Sequence, residues 1–179
     1  MNDRWRRLGG WSVFAALVLT VVSIGLLALR SLLGPRFSTE VLTHSPVEIV
    51  DALIPLALVP VALALERAGQ PSRLARVGMV VGVAGLLAGA VLHVLFAASV
   101  MVFGQGRGVV VALQVSLLAV CMWLVLAGAA VRGGGQVPRS LAWLTLACGA
   151  LLMIPFPIWS AFLAWHWLRP TASTSPASI

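Results

Sequence analysis

Residues 78–93 read GMVVGVAGLLAGAVLH: four glycines in an apolar run of helical length, closed by a histidine. In water each glycine inside a helix costs about 1 kcal/mol relative to alanine. In lipid, hydrophobic drive between helices is weak, and small residues favour association by letting backbones approach closely. At 100° per residue, Gly78, Gly82, Gly85 and Gly89 fall at about 0°, 40°, −20° and 20°, a single narrow stripe. The stretch therefore predicts a membrane helix with one closely packed face. A compact bundle favours a neighbour in the same chain over a second copy or another membrane protein, both of which the stripe also suits. His93 lies at about 60° on the same wheel, so it continues the packed face rather than facing lipid.

The rest of the chain agrees with a membrane setting. It has 179 residues, 60% hydrophobic and 9% charged, with a mean hydropathy of +1.04. A soluble domain is about half apolar and a quarter charged. A span needs about 20 apolar residues, and five stretches qualify: 11–29, 47–65, 77–102, 109–131 and 141–168. The expected fold is all-α, a single polytopic bundle over residues 1–168 embedded in a lipid bilayer. The tail at 169–179, RPTASTSPASI, has no periodicity and is expected to be disordered. The first stretch exceeds a usual signal-peptide core and no small-x-small cleavage site follows it, so it reads as an uncleaved span. Cleavage would leave four spans with both ends outside.

A net charge of +7 would suggest nucleic acid in a soluble chain. Here the arginines sit at helix ends, not in a stripe with aromatics, which argues against a nucleic-acid partner. Arg4, Arg6, Arg7, Arg67, Arg73, Arg76, Arg132 and Arg139 fall on one side of a five-span chain; Arg30, Arg36, Arg107 and Arg169 fall on the other. The positive-inside rule puts the N-terminus in the cytoplasm and, with five spans, the C-terminus outside.

Prolines mark two spans. Ser45, Pro46 and Glu48 form a capping box with proline at the first helical position, which fixes the start of the second span. Pro55 and Pro60 then fall inside it, removing the backbone donors that the carbonyls of Asp51 and Leu56 would use. In the fifth span, Pro155 and Pro157 predict a bend or break near mid-membrane. Broken helices line transporter sites, although most such breaks only shape packing.

Ionisable residues within spans are costly and are candidate sites for that reason. By helical rise His93 sits about 26 Å up a core of roughly 30 Å. Asp51 and Glu48 open the second span at that level, Gln114 lies just inside the fourth, Arg30 closes the first, and His166 is expected to close the fifth. Imidazole with carboxylates suits a divalent ion such as zinc or iron, with His93, His166, Asp51 and Glu48 as ligands. Two histidines on facing helices also suit axial haem ligation or, with Asp51, a proton relay to a quinone or small solute. Against a site, capping explains Glu48, Arg30 offers Asp51 a partner, and His93 and Gln114 can bond each other across helices. No His-x-x-x-His or Glu-x-x-His spacing is present, so the structural reading is preferred and the cofactor stays unspecified.

Cys121 and Cys148 fall at similar depth on consecutive spans without a Cys-x-x-Cys motif, and read as packing thiols rather than a bridge. Trp5, Trp11 and Trp143 are expected near the inner boundary and Trp159, Trp165 and Trp167 near the outer one, as an aromatic belt. Trp123, mid-span, reads as packing. The chain lacks Gly-x-Ser-x-Gly, and GQGRG at 104–108 reads as a turn, not a phosphate loop.

The stretch from Gly128 and Arg132 through Pro138, Arg139 and Leu141 to Gly149, Pro157 and Trp159 resembles the C-terminal part of a group of uncharacterised bacterial multi-pass membrane proteins. The resemblance implies a helical bundle in the bacterial cytoplasmic membrane and no catalytic residue. The expected function is non-enzymatic, a structural or accessory subunit. The alternatives are a metal- or haem-binding redox or sensor protein and an oligomeric transport protein.

Overall fold

The computed structural model describes residues 2–33, 46–69, 71–98, 107–134, 136–151 and 153–169. Six helices form among them: α1 (Asp3–Leu33), α2 (Pro46–Ala68), α3 (Arg73–Ala97), α4 (Arg107–Gly134), α5 (Arg139–Ala150) and α6 (Phe156–Leu168). Four of these elements contain stretches long and apolar enough to cross a membrane: Asp3–Leu29, Pro46–Ala68, Arg73–Ala97 and Val111–Gly134. Their outward faces carry exposed Val21, Ile24, Val80, Val91, Val115 and Leu118, as lipid contact requires. Ser45, the predicted helix cap, lies outside the described residues, as do 99–102 of the third predicted span, most of the GQGRG turn and the tail beyond Arg169.

The helices close a ring in the order α1, α2, α3, α4, α5, α6. Its lower half is packed around Leu58, Leu65, Trp123, Leu124, Trp159 and Leu163. The glycine stripe is the seam between α3 and α4. A Cβ built on Gly78 would lie 2.7 Å from Leu126 Cδ1, one on Gly82 would overlap Trp123, and one on Gly85 would lie 2.9 Å from the Ser116 carbonyl. The Ser116 hydroxyl donates to the Gly85 carbonyl at 2.6 Å, locking the register. At Gly78, Gly82 and Gly85 this face is occupied by α4 of the same chain.

The fifth predicted span is not one continuous helix among the described residues. Its apolar length, 141–168, is divided between α5 and α6, about 18 and 20 Å long by helical rise, too short to cross a core of roughly 30 Å. The two fold back on each other. Trp159 Nε1 donates to Thr145 Oγ1 at 2.9 Å, whereas one continuous helix would set those residues about 21 Å apart. At the closed end of the hairpin, a Cβ on Gly149 would press on the backbone of Cys121 and Val125, halfway along α4. At its open end, Gly9 of α1 packs against the Trp167 ring and Ala64 of α2. The end of α6 therefore returns to the end of the bundle where α1 begins, so four helices long enough to cross a membrane are found among the described residues, and five spans with the termini at opposite ends are not.

Local chemistry explains the reversal. Pro155 cannot donate to the carbonyl four residues earlier, and Pro157 sits in the first turn of α6, where a missing N–H costs nothing. Between the helices, the Met153 N–H donates to the Cys148 carbonyl at 2.7 Å and Met153 adopts φ 64°, the left-handed conformation that ends many helices. Pro55 and Pro60, by contrast, are accommodated within an unbroken α2.

The hairpin also corrects the aromatic belt. Trp159 and Trp167 are fully buried, while Trp165 is 64% exposed, with the Arg169 guanidinium 4.9 Å from its ring centre. All three belong to the half of the bundle where α1 begins. At the same end Arg67 stacks on Trp5 at 3.8 Å and Arg132 on Trp143 at 4.7 Å. Trp123 is buried in the packing, and Cys121 and Cys148 are buried free thiols.

Candidate functional site

At the opposite end of the bundle, three ionisable side chains converge from two helices. Glu48 and Asp51 lie one turn apart on α2, which puts both on one face. Because α3 runs antiparallel to α2, His93 near its end arrives at the same level. His93 Nδ1 and Glu48 Oε2 are 3.0 Å apart, with the two side chains 26% and 23% exposed, so the pair is shielded but still reachable. One ligand atom from each of Glu48, Asp51 and His93 lies within 4.8 Å of the others.

The Asp51 carboxylate is held from behind. Ser23 of α1, 6% exposed, donates its hydroxyl to Asp51 Oδ1 at 2.6 Å. A hydrogen bond of this kind fixes the orientation of a ligating carboxylate and leaves its other oxygen for a ligand. Pro55 lies four residues on and has no N–H to give the Asp51 carbonyl, which puts a further oxygen acceptor on this stretch of α2.

Below Asp51 and His93 lies an open cleft of about 360 Å³. Its walls come from α2, α3 and α4, including Ile54, Leu58, Leu86 and Val120, and Met153 at the hairpin turn reaches it from the side of α5 and α6. Asp51 and His93 are its ionisable residues, Ser116 supplies a hydroxyl, and the remaining lining is apolar. From Asp51 to Leu58 it extends about 10 Å along α2. Pockets of this size and lining, with a few convergent polar groups, are ordinary small-ligand sites.

Of the predicted cluster, Glu48, Asp51 and His93 come together and His166 does not. His166 lies in the last turn of α6, beside Trp167, which packs on Gly9 at the far end of the bundle. The hairpin carries it there, so His93 and His166 are not joint ligands of a metal and cannot hold a haem between them within one chain. Gln114 is exposed on the outside of α4 and is not the partner of His93; that partner is Glu48. The side chain of Arg30 lies outside the described residues, and the partner seen for Asp51 is Ser23. Sequence reasoning missed Ser23 and Met153. Ser23 carried a faint signal as a hydroxyl within an apolar span; Met153 carried none, because its place depends on the reversal.

Histidine with two carboxylates is a three-ligand set for a borderline divalent ion such as Zn²⁺, Mn²⁺ or Fe²⁺, with a coordination position left for water or a ligand group. The residues fit such an ion: two helices hold the donors, and Ser23 supplies the outer hydrogen bond that oriented carboxylate ligands use. No family model matches the chain, and no curated protein and no solved structure matches it either.

Proposed function

We propose that this is a multi-pass protein of the bacterial cytoplasmic membrane, with both ends in the cytoplasm, that binds a divalent transition-metal ion at its outer end through Glu48, Asp51 and His93. It is a non-enzymatic binding or accessory subunit. The observation that carries the metal reading is the convergence of three ligand atoms within 4.8 Å at the mouth of a pocket. The orientation rests on charge. With the hairpin folded back, Arg4, Arg6, Arg7, Arg67, Arg73, Arg76, Arg132, Arg139 and Arg169 gather at the end where α1 begins, while Arg30 and Arg107 stand at the other.

The test is elemental mass spectrometry on protein purified in mild detergent, beside His93→Ala and Asp51→Asn proteins of unchanged thermal stability. About one equivalent of zinc, manganese or iron, lost in both variants, is the expected result. Metal-free protein that takes up none of these ions on dialysis overturns the reading.

A transport role is the second reading, favoured by the hairpin. Two half-length helices meeting at mid-depth, with a pocket above their turn, resemble the discontinuous helices that build transporter sites. Zinc flux into proteoliposomes that is abolished by His93→Ala would select it.

A further inference from the structure

The pocket beneath the carboxylates has a chemistry of its own. Its body is apolar and its depth is that of a small ring system; at its mouth Asp51 stands on the lining, and His93, also on the lining, is partnered by Glu48 at 3.0 Å, which leaves the Asp51 carboxylate as the charge that faces a ligand. Among the described residues no arginine lines it. An anionic amphiphile would meet like charge in a partly dry site, where such repulsion is much stronger than in water. A cationic one would place its charge against Asp51 and remove its apolar body from water at about 25 cal/mol per Å².

Access favours an amphiphile. The hairpin fills only the arginine-rich half of the sector between α4 and α1, because α5 and α6 stop at the level of Cys121. The pocket lies at and above that level, touched by Met153 at the turn. Leu117, on the pocket wall, is also 42% exposed, so that wall borders the lipid-facing surface. A molecule dissolved in the lipid at that level meets the Leu117 wall directly.

We propose that the pocket between α2, α3, α4 and the hairpin turn binds a lipophilic organic cation, its charge at Asp51 and its apolar body against Leu58, Leu86, Val120 and Met153. This does not depend on the metal reading, although both ligands would use Asp51 and therefore compete.

The probes are tetraphenylphosphonium and tetraphenylborate, ions of matched shape and opposite charge, measured by equilibrium dialysis against the full chain in lipid nanodiscs. Saturable binding of the phosphonium, with borate at least tenfold weaker, is expected. Asp51→Asn, which keeps the oxygen that Ser23 donates to, should weaken phosphonium binding at least tenfold. So should Leu117→Trp, which fills the pocket from a position exposed enough to fold, while leaving zinc uptake unchanged. Equal binding of the two ions, no saturable binding of the phosphonium, or unchanged affinity in either variant overturns the proposal. Zinc that displaces the phosphonium supports both readings. Phosphonium binding that depends on Asp51 in a protein that takes up no metal supports this one and overturns only the metal site.

Discussion

The two ends of α3 make opposite use of one helical face. At Gly78 and Gly82 the α4 side chains press directly on the α3 backbone, leaving no room for a methyl group. At Gly89 the only neighbour of an added Cβ among the described residues would be the Ser116 hydroxyl at 3.0 Å, and one turn later His93 reaches across to Glu48 on α2. Gly85 and Gly89 belong both to the stripe and to the pocket wall. The stripe thus clamps α3 to α4 near the arginine-rich end and yields to a cavity toward the other. Tight packing below is what allows an open, partly polar chamber above, since packing in lipid has to come from somewhere other than hydrophobic drive.

The largest effect should come from breaking the clamp. Gly82→Leu forces Trp123 out of its place in the core, and we expect a loss of about 3 kcal/mol or more, read as a collapse of the thermal transition in detergent. A transition within a degree or two of the parent would mean that α3 and α4 are not packed as described. Next comes topology. A C-terminal alkaline phosphatase fusion should be inactive and a C-terminal green fluorescent fusion bright, and the reverse pattern would restore a fifth crossing.

Smaller effects sharpen the contrast from the chamber side. Thr145→Val strands the buried Trp159 indole N–H inside the hairpin and should cost about 1–3 kcal/mol, the penalty for an unsatisfied buried donor. Ser23→Ala removes the bond that orients Asp51, and should weaken metal binding about 10-fold with little change in unfolding temperature. Gly89→Ala should be mildest, under about 1 kcal/mol, because a serine rotamer can give way where an indole cannot. If Gly89→Ala proved as damaging as Gly82→Leu, the two ends of α3 would not differ and the chamber would be closed.

Much of the framework was legible in the residues. The apolar lengths of α1 to α4 announced helices able to cross a membrane, and the glycine angles announced a close seam, because both depend on local spacing alone. Glu48, Asp51 and His93 were legible as a group for the same reason: their depths follow from counting rise along antiparallel helices. His166 was misplaced by the same counting. Rise along a helix says nothing about a reversal, and proline at 155 and 157 is equally compatible with a kink and a turn. The bonds at Met153 and between Thr145 and Trp159, with the packing of Gly149 on α4 and of Gly9 on Trp167, distinguish the two.

The sequence by itself thus determined what solvent the chain lives in, which segments are helical and which helix carries the closest packing, since composition and periodicity act locally. Tertiary structure decided which partner fills the glycine face, that the last apolar segment turns back at mid-depth, and that Ser23, Asp51, Glu48 and His93 share one mouth above an apolar pocket. Those outcomes rest on contacts between residues far apart in the chain. Their energies depend on how whole helices fit together and leave little trace in the spacing of either partner.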